Sequence, residues 1–165
     1  DNLIIDTPPG TGDVHLSIVQ NLPLTGVVVV TTPQPVALAD AKKAIAMFKM
    51  ENINVPVLGI VENMSWFSPK EYKDEKYFIF GQHGGKDLAT SLNLELLGEI
   101  PLVQSIRESA DVGRPAVLQQ ETYVESFYSV ACKNLVLSVD KRNTELEETK
   151  VVPVEYGEPK CSTNG

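Results

Sequence analysis

The stretch DNLIIDTPPGTGD sets a carboxylate, Asp6, directly after the apolar run Asn2–Ile5 and directly before the turn Thr7–Asp13, TPPGTGD. A carboxylate at the end of a buried strand loses hydration unless a cation or a hydrogen-bond donor meets it. In phosphate-handling proteins that partner is Mg²⁺, usually reached through water. Pro8 and Pro9 fix φ and stiffen the turn, while Gly10 and Gly12 let backbone N–H groups approach an anion closely. A plain strand-to-helix turn, with Asp13 capping a helix from Val14 onward, accounts for the same residue types.

The elements that would position these groups follow from hydrophobic pattern. Asn2–Ile5, Gly26–Thr31 (GVVVVT), Val57–Val61 (VLGIV) and Leu94–Ile100 (LELLGEI) are apolar runs with little alternation, as strands covered on both faces require. Helical spacing lies between them. Val14–Asn21 is short, and Ala37–Met50 places Leu38, Ala41, Ile45 and Phe48 along one stripe. Gly85–Leu92 and Tyr123–Val139 complete the set, the last with Val124, Phe127, Val130, Ala131, Leu135 and Val136 inward. Alternating strands and helices predict βαβ units and a parallel α/β sheet, whose ligands sit at the carboxyl ends of the strands. Ser68–Lys76 (SPKEYKDEK) is polar and reads as a surface excursion, and residues 140–165 as a polar, flexible tail beyond a domain spanning 1–139.

Composition narrows the function. A chain of 165 residues suits one domain, and its formal net charge of −8 argues against a module that binds nucleic acid through a basic face. No apolar run approaches the ~20 residues of a membrane span. Two cysteines, Cys132 and Cys161, are too few for a disulfide framework, which favours a reducing cytoplasm. His15 reads as surface packing ahead of a phosphate contact, His83 as loop filling ahead of a base, and Trp66 and Phe67 as core or as a partner surface.

Five blocks in order, DNLIIDTPPGTGD, GVVVVTTPQPVALADAKKAIAMF, VPVLGIVENMSWF, FIFGQHGGKDLA and LLGEIPLVQSIRESADVGRP, resemble the Mrp/ApbC group of ATP-binding iron–sulfur carriers. That group lies within the MinD/ParA-like deviant P-loop NTPases. The resemblance covers roughly residues 1–140. It implies a three-layer parallel sheet and an ATPase that works as a homodimer with ATP and Mg²⁺ and passes clusters to acceptor proteins.

Position by position, Asp6 matches the Walker B aspartate that holds Mg²⁺ through water, and Gly10, within Thr7-Pro8-Pro9-Gly10, matches the switch whose N–H senses the γ-phosphate. Thr31 and Thr32, in TTPQ, match a turn beside the nucleotide. Asn63 matches the asparagine that reads the adenine edge, and Pro101, Leu102 and Val103 the loop whose backbone lines the base. Asn63 as a turn residue and Pro101 as punctuation remain the plainer alternatives.

Two departures accompany the resemblance. The glycine-rich phosphate loop that the family carries upstream of Asp6 is not among these residues, and Gly84–Lys86 (GGK) lies in a different block and is no substitute. The sequence therefore resembles the C-terminal part of such an NTPase, and its parallel sheet is expected to be incomplete. The second departure is the interval Ser65–Phe80, where many relatives hold C-x-x-C and where this chain has no cysteine. Clusters want thiolate ligands, so no iron–sulfur ligand is identifiable, with Cys132 expected on a buried helix face. A positioning ATPase of the MinD or partition type and a non-enzymatic scaffold that has lost its cluster are the competing readings. The acidic-to-mixed tail counts against the first, and intact DTPPGTGD and VENM against the second.

Overall fold

The computed structural model describes residues 2–10, 12–69, 72, 74–118 and 123–151. Among them the chain runs α1 (Asp13–Asn21), β1 (Val27–Thr31), α2 (Pro35–Phe48), β2 (Val57–Phe67), α3 (Gly84–Ser91), β3 (Leu96–Leu102), α4 (Gln104–Asp111), a 3-10 turn (Ala116–Leu118) and α5 (Tyr123–Glu145). The strands form a parallel sheet in the order β1-β2-β3.

Side chains alternate across a strand, and here each face has its own cover. On one face Ile60, fully buried at the centre of β2, joins Val29 of β1, Ala41 and Ile45 of α2, and Ala89 of α3. On the other face Gly98 of β3 lies so close to α5 that an added Cβ would stand 2.8 Å from the Ala131 Cβ. Asn134 Nδ2 of α5 donates to the Leu97 carbonyl at 2.8 Å, fixing that helix along β3. Helices, sheet and helix make the expected three-layer α/β arrangement. The stripe expected on α2 is also present: Ala41, Ile45 and Phe48 are buried and Leu38 half-buried. Phe48 closes a second cluster with Val19 of α1 and the loop residues Ile53 and Val55.

Several local expectations are corrected. Asn2–Ile5 is not a strand; residues 2–8 carry no regular secondary structure, and Leu3 and Ile4 are 87% and 79% exposed. A strand persists only when its N–H and C=O groups find a ladder, and no described residue pairs with this segment. β1 is covered on one face rather than two: Val29 and Thr31 are buried while Val30 is 62% exposed, because α5 packs on β3 and β2. Val130 and Val136 of α5 are half exposed instead of inward, and of the six apolar positions expected inward only Val124 and Ala131 are buried.

α4 was not apparent from its polar sequence QSIRESAD, and α5 continues past Val139 to Glu145. Arg142, buried near the end of α5, donates through Nη2 to the Glu147 carbonyl at 2.8 Å and to Thr149 Oγ1 at 2.6 Å. The chain is thereby held against the helix as far as Thr149.

Candidate functional site

Register places the sequence-selected residues of three strands at one edge. Thr31 pairs with Glu62, Glu62 with Glu99, and Asn63 with Ile100, so the end of β1 lies level with Glu62 and Glu99, while β2 and β3 run on past it to the pair Phe67 and Leu102. Thr31 is buried, and its Oγ1 donates to the Thr32 carbonyl at 3.2 Å. Thr32 Oγ1 in turn lies 3.4 Å from Gln34 Oε1, immediately before Pro35 starts α2. Proline suits that first helical position, where its missing N–H costs nothing.

Asn63 sits where β2 bends. Its Oδ1 accepts the Met64 N–H at 2.9 Å, Met64 takes φ of +54°, and Ser65 Oγ donates to the Glu62 carbonyl at 2.9 Å. Left-handed backbone at a methionine is costly, and these two side-chain bonds hold it. Pro101 is fully buried and Leu102 and Val103 half-buried, with the Val103 carbonyl accepting the Ile106 N–H at 3.1 Å as α4 begins.

The opening turn stands apart. Asp6, Thr7, Pro8, Pro9 and Gly10 are exposed, and no hydrogen bond or ion pair joins them to the strand ends among the described residues. Gly10 has φ of +99°, a region that residues with a side chain rarely adopt, and a Cβ added to it would meet no atom within 4 Å. The carboxylate of Asp6 is a hard oxygen donor of the kind Mg²⁺ takes, and the fit of the opening turn to a metal–triphosphate rests on that chemistry. Thiolate chemistry does not fit in the same way. Ser65–Phe80 offers no cysteine sulfur, Cys132 is a single exposed thiol rather than a buried one, and Cys161 lies outside the described residues.

The residues that sequence reasoning missed are those of Gly81–Gly85. Gly81 (φ +106°) and Gly84 lie against Pro33; a Cβ on them would stand 3.1 Å and 2.7 Å from the Pro33 carbonyl oxygen. The GGK motif is thus a packing contact beneath the Thr31–Gln34 turn. Gly85 donates its N–H to Oε2 of Glu62, a carboxylate that is only 1% exposed and whose Oε1 has no partner among the described residues. The spacing of the glycines was visible in the sequence, but their partner was not.

The histidines and aromatics also find places. His15 is buried edge-on to Phe48, with ring centroids 6.2 Å apart, not at the surface. His83 precedes α3 with φ of +60°. Trp66 is core: its ring meets Phe127 at 5.2 Å, its Nε1 donates to the Tyr123 hydroxyl at 3.3 Å, and Lys76 Nζ lies 3.8 Å over it. An antiparallel bridge between Phe67 and Tyr77 closes the polar excursion at its base.

In that excursion the Tyr77 hydroxyl donates to Glu75 Oε2 at 2.6 Å. The accepted hydrogen bond, and next the carboxylate's charge, raise the phenol above its ordinary value of 10.0. The folded chain therefore holds this proton more tightly than the unfolded chain. Its contribution is complete below pH ~10 and is lost as pH rises through the folded value. Following the Tyr77 ring resonances through alkaline titration should show a midpoint above that of a free tyrosine, moving down in Glu75→Gln.

The three-stranded parallel sheet flanked by helices is the architecture of the P-loop NTPase class, and the comparisons place the chain in that class. The sequence pattern of the ParA family, NUBPL iron-transfer P-loop NTPase, matches residues 1–156, and the chain belongs to that family. It is 52% identical over 120 residues to the mouse iron–sulfur cluster transfer protein NUBPL, covering 73% of this chain and 37% of that one. With the Arabidopsis thaliana iron–sulfur protein required for NADH dehydrogenase, mitochondrial, it shares 48% identity over 148 residues, 90% of this chain and 45% of that. Among solved structures it resembles an Archaeoglobus fulgidus nucleotide-binding protein in complex with ADP, with a TM-score of 0.60, 35% identity, and 73% and 48% of the two chains covered. The chain spans less than half the length of each.

Proposed function

We propose that these residues form the base-binding and switch side of an ATP-dependent iron–sulfur cluster carrier that works as a homodimer and hands clusters to acceptor proteins. The observation that supports the reading is the register: Thr31 lies level with Glu62, Asn63 with Ile100, and Pro101 follows directly, so Thr31, Asn63 and Pro101 fall within about two residues of one level across the sheet. Asn63 presents an amide, which pairs with the donor–acceptor edge of adenine as it does in other adenine sites. Pro101, Leu102 and Val103 offer apolar surface and backbone for its ring. When bound, Mg²⁺ supplies charge neutralisation on the triphosphate, and Asp6, with Thr7, Pro8 and Pro9 beside it, would hold its water shell. Gly10 would report the γ-phosphate through its backbone N–H and move the turn leading into α1, a switch of the order–disorder kind.

The iron–sulfur cluster is cargo, and the thiolates for it are not in the 65–80 interval. That observation favours a second reading, a nucleotide-binding scaffold without a cluster. Among the described residues no helix is long and apolar enough to cross a membrane. A reducing compartment of the cytoplasmic kind suits the free Cys132 thiol.

In the complete protein, Asn63→Ala is expected to weaken ATP binding about tenfold and to abolish most preference for ATP over GTP, since a site built to pair with a base edge rejects the wrong base strongly. Titration with fluorescent ATP and GTP analogues measures both, and an unchanged preference removes the adenine reading. Iron and sulfide analysis after reconstitution, with transfer to an apo acceptor, separates the carrier from the scaffold.

A further inference from the structure

Glu62 is the one buried carboxylate, among the described residues, that the proposed chemistry does not use. It is 1% exposed, one oxygen bound to the Gly85 N–H and the other without a partner among the described residues. Burying a carboxylate costs several kcal/mol unless hydrogen bonds or charge offset it, so a leucine of similar size would serve packing alone at least as well.

The surroundings show what the carboxylate holds. α3 begins at His83–Gly84 with no side-chain cap of its own. Its first turn instead finds its acceptor on a strand, and the positive end of the helix dipole favours the negative charge there. The helix opens with two glycines, which are poor helix formers, because both approaches are too close for a side chain. A Cβ on Gly85 would come within 2.9 Å of Glu62 Oε2, and one on Gly84 within 2.7 Å of the Pro33 carbonyl oxygen. Glu62 thus ties the end of β2 to the start of α3, which itself rests on the turn after β1.

The backbone of Glu62 is the root of the bend that presents Asn63. Its carbonyl accepts Ser65 Oγ, Met64 is held in the left-handed region, and Asn63 Oδ1 takes the Met64 N–H. We propose that Glu62 is a positioning residue for base recognition: by capping α3 through Gly85 it fixes the Glu62–Ser65 bend and so the direction of the Asn63 amide. This rests on the reading of Asn63 as the adenine-contacting residue.

The test compares ATP and GTP analogue affinities of the complete protein with Glu62→Gln, Glu62→Ala, Gly85→Ala and Asn63→Ala variants, alongside thermal unfolding. Glutamine keeps an acceptor for Gly85 and is expected to hold the ATP-to-GTP affinity ratio within about threefold. Alanine at 62 is expected to lower the ratio about tenfold. A merely structural role would lower the unfolding temperature and leave the ratio of the folded protein untouched. Should Glu62→Ala fail to fold, Gly85→Ala perturbs the same junction from the other side and is expected to lower the ratio as well. A wild-type ratio in folded Glu62→Ala, or in Gly85→Ala where the former does not fold, overturns the proposal. If Asn63→Ala lowers the ratio and the Glu62 variants do not, only the positioning role falls. A wild-type ratio in Asn63→Ala removes the adenine reading, and the Glu62 role with it.

Discussion

Asp6→Ala, introduced into the complete protein, is expected to reduce Mg²⁺-dependent ATP turnover by a factor of about a hundred to a thousand. Metal-assisted charge stabilisation at a transferring phosphoryl group is worth several kcal/mol, and each 1.36 kcal/mol in the barrier is about tenfold in rate. Asp6 alone does not supply all of that, because the nucleotide's own oxygens also bind the ion, hence the lower bound. Nucleotide affinity measured without Mg²⁺ should change by less than about threefold, since no base contact is altered. Asp6→Asn should fall nearly as far, because an amide keeps the shape and loses the charge. Steady-state turnover at several Mg²⁺ concentrations checks this, and a turnover equal to wild type shows that Asp6 is not the metal-side carboxylate. Thermal unfolding of the variants alongside turnover separates a lost activity from a damaged fold.

Ile60→Ala carries the largest expected cost to stability, about 3–4 kcal/mol, from lost transfer free energy and the cavity left between sheet and helices. Ile60 has no exposed surface and touches residues of β1, α2 and α3 at once, so no single neighbour can collapse into the space. Ile60→Val removes one methylene and should cost about 1 kcal/mol. Urea unfolding of the two variants, read as a change in midpoint at constant slope, distinguishes them. A Val variant as damaged as the Ala variant would mean that shape, not volume, governs this layer.

Much of the fold was legible because its signals are local. GVVVVT and VLGIV are β-branched runs too short for a helix, and the three-and-four spacing through Ala41, Ile45 and Phe48 admits one burial solution. The residues singled out at the strand ends came from the resemblance of TTPQ, VENM and LLGEIP to the family's blocks, not from hydrophobic pattern. What escaped was whatever depends on a distant partner. Asn2–Ile5 has the composition of a strand, yet strands are made by neighbours, and none of the described residues supplies one. α4 carries too few apolar residues to show a stripe, and QSIRESAD is held as a helix by its place after β3 and by pairs such as Arg107 Nη1 with Asp111 Oδ2. Cys132 lies one residue after buried Ala131, and a step of about 100° around the helix turns the expected core thiol outward. The Glu62–Gly85 contact joins residues 23 apart in sequence, and no pattern of either segment announces the other.

The bare side of β1 has a consequence of its own. Its outer edge has no strand beside it among the described residues, and Val30 projects from a face that no described helix covers. Backbone donors and acceptors in such a row will accept any extended segment of suitable length. An extended segment of any origin that lies along β1 would therefore find a full row of backbone partners, and its side chains on one face would meet Val30.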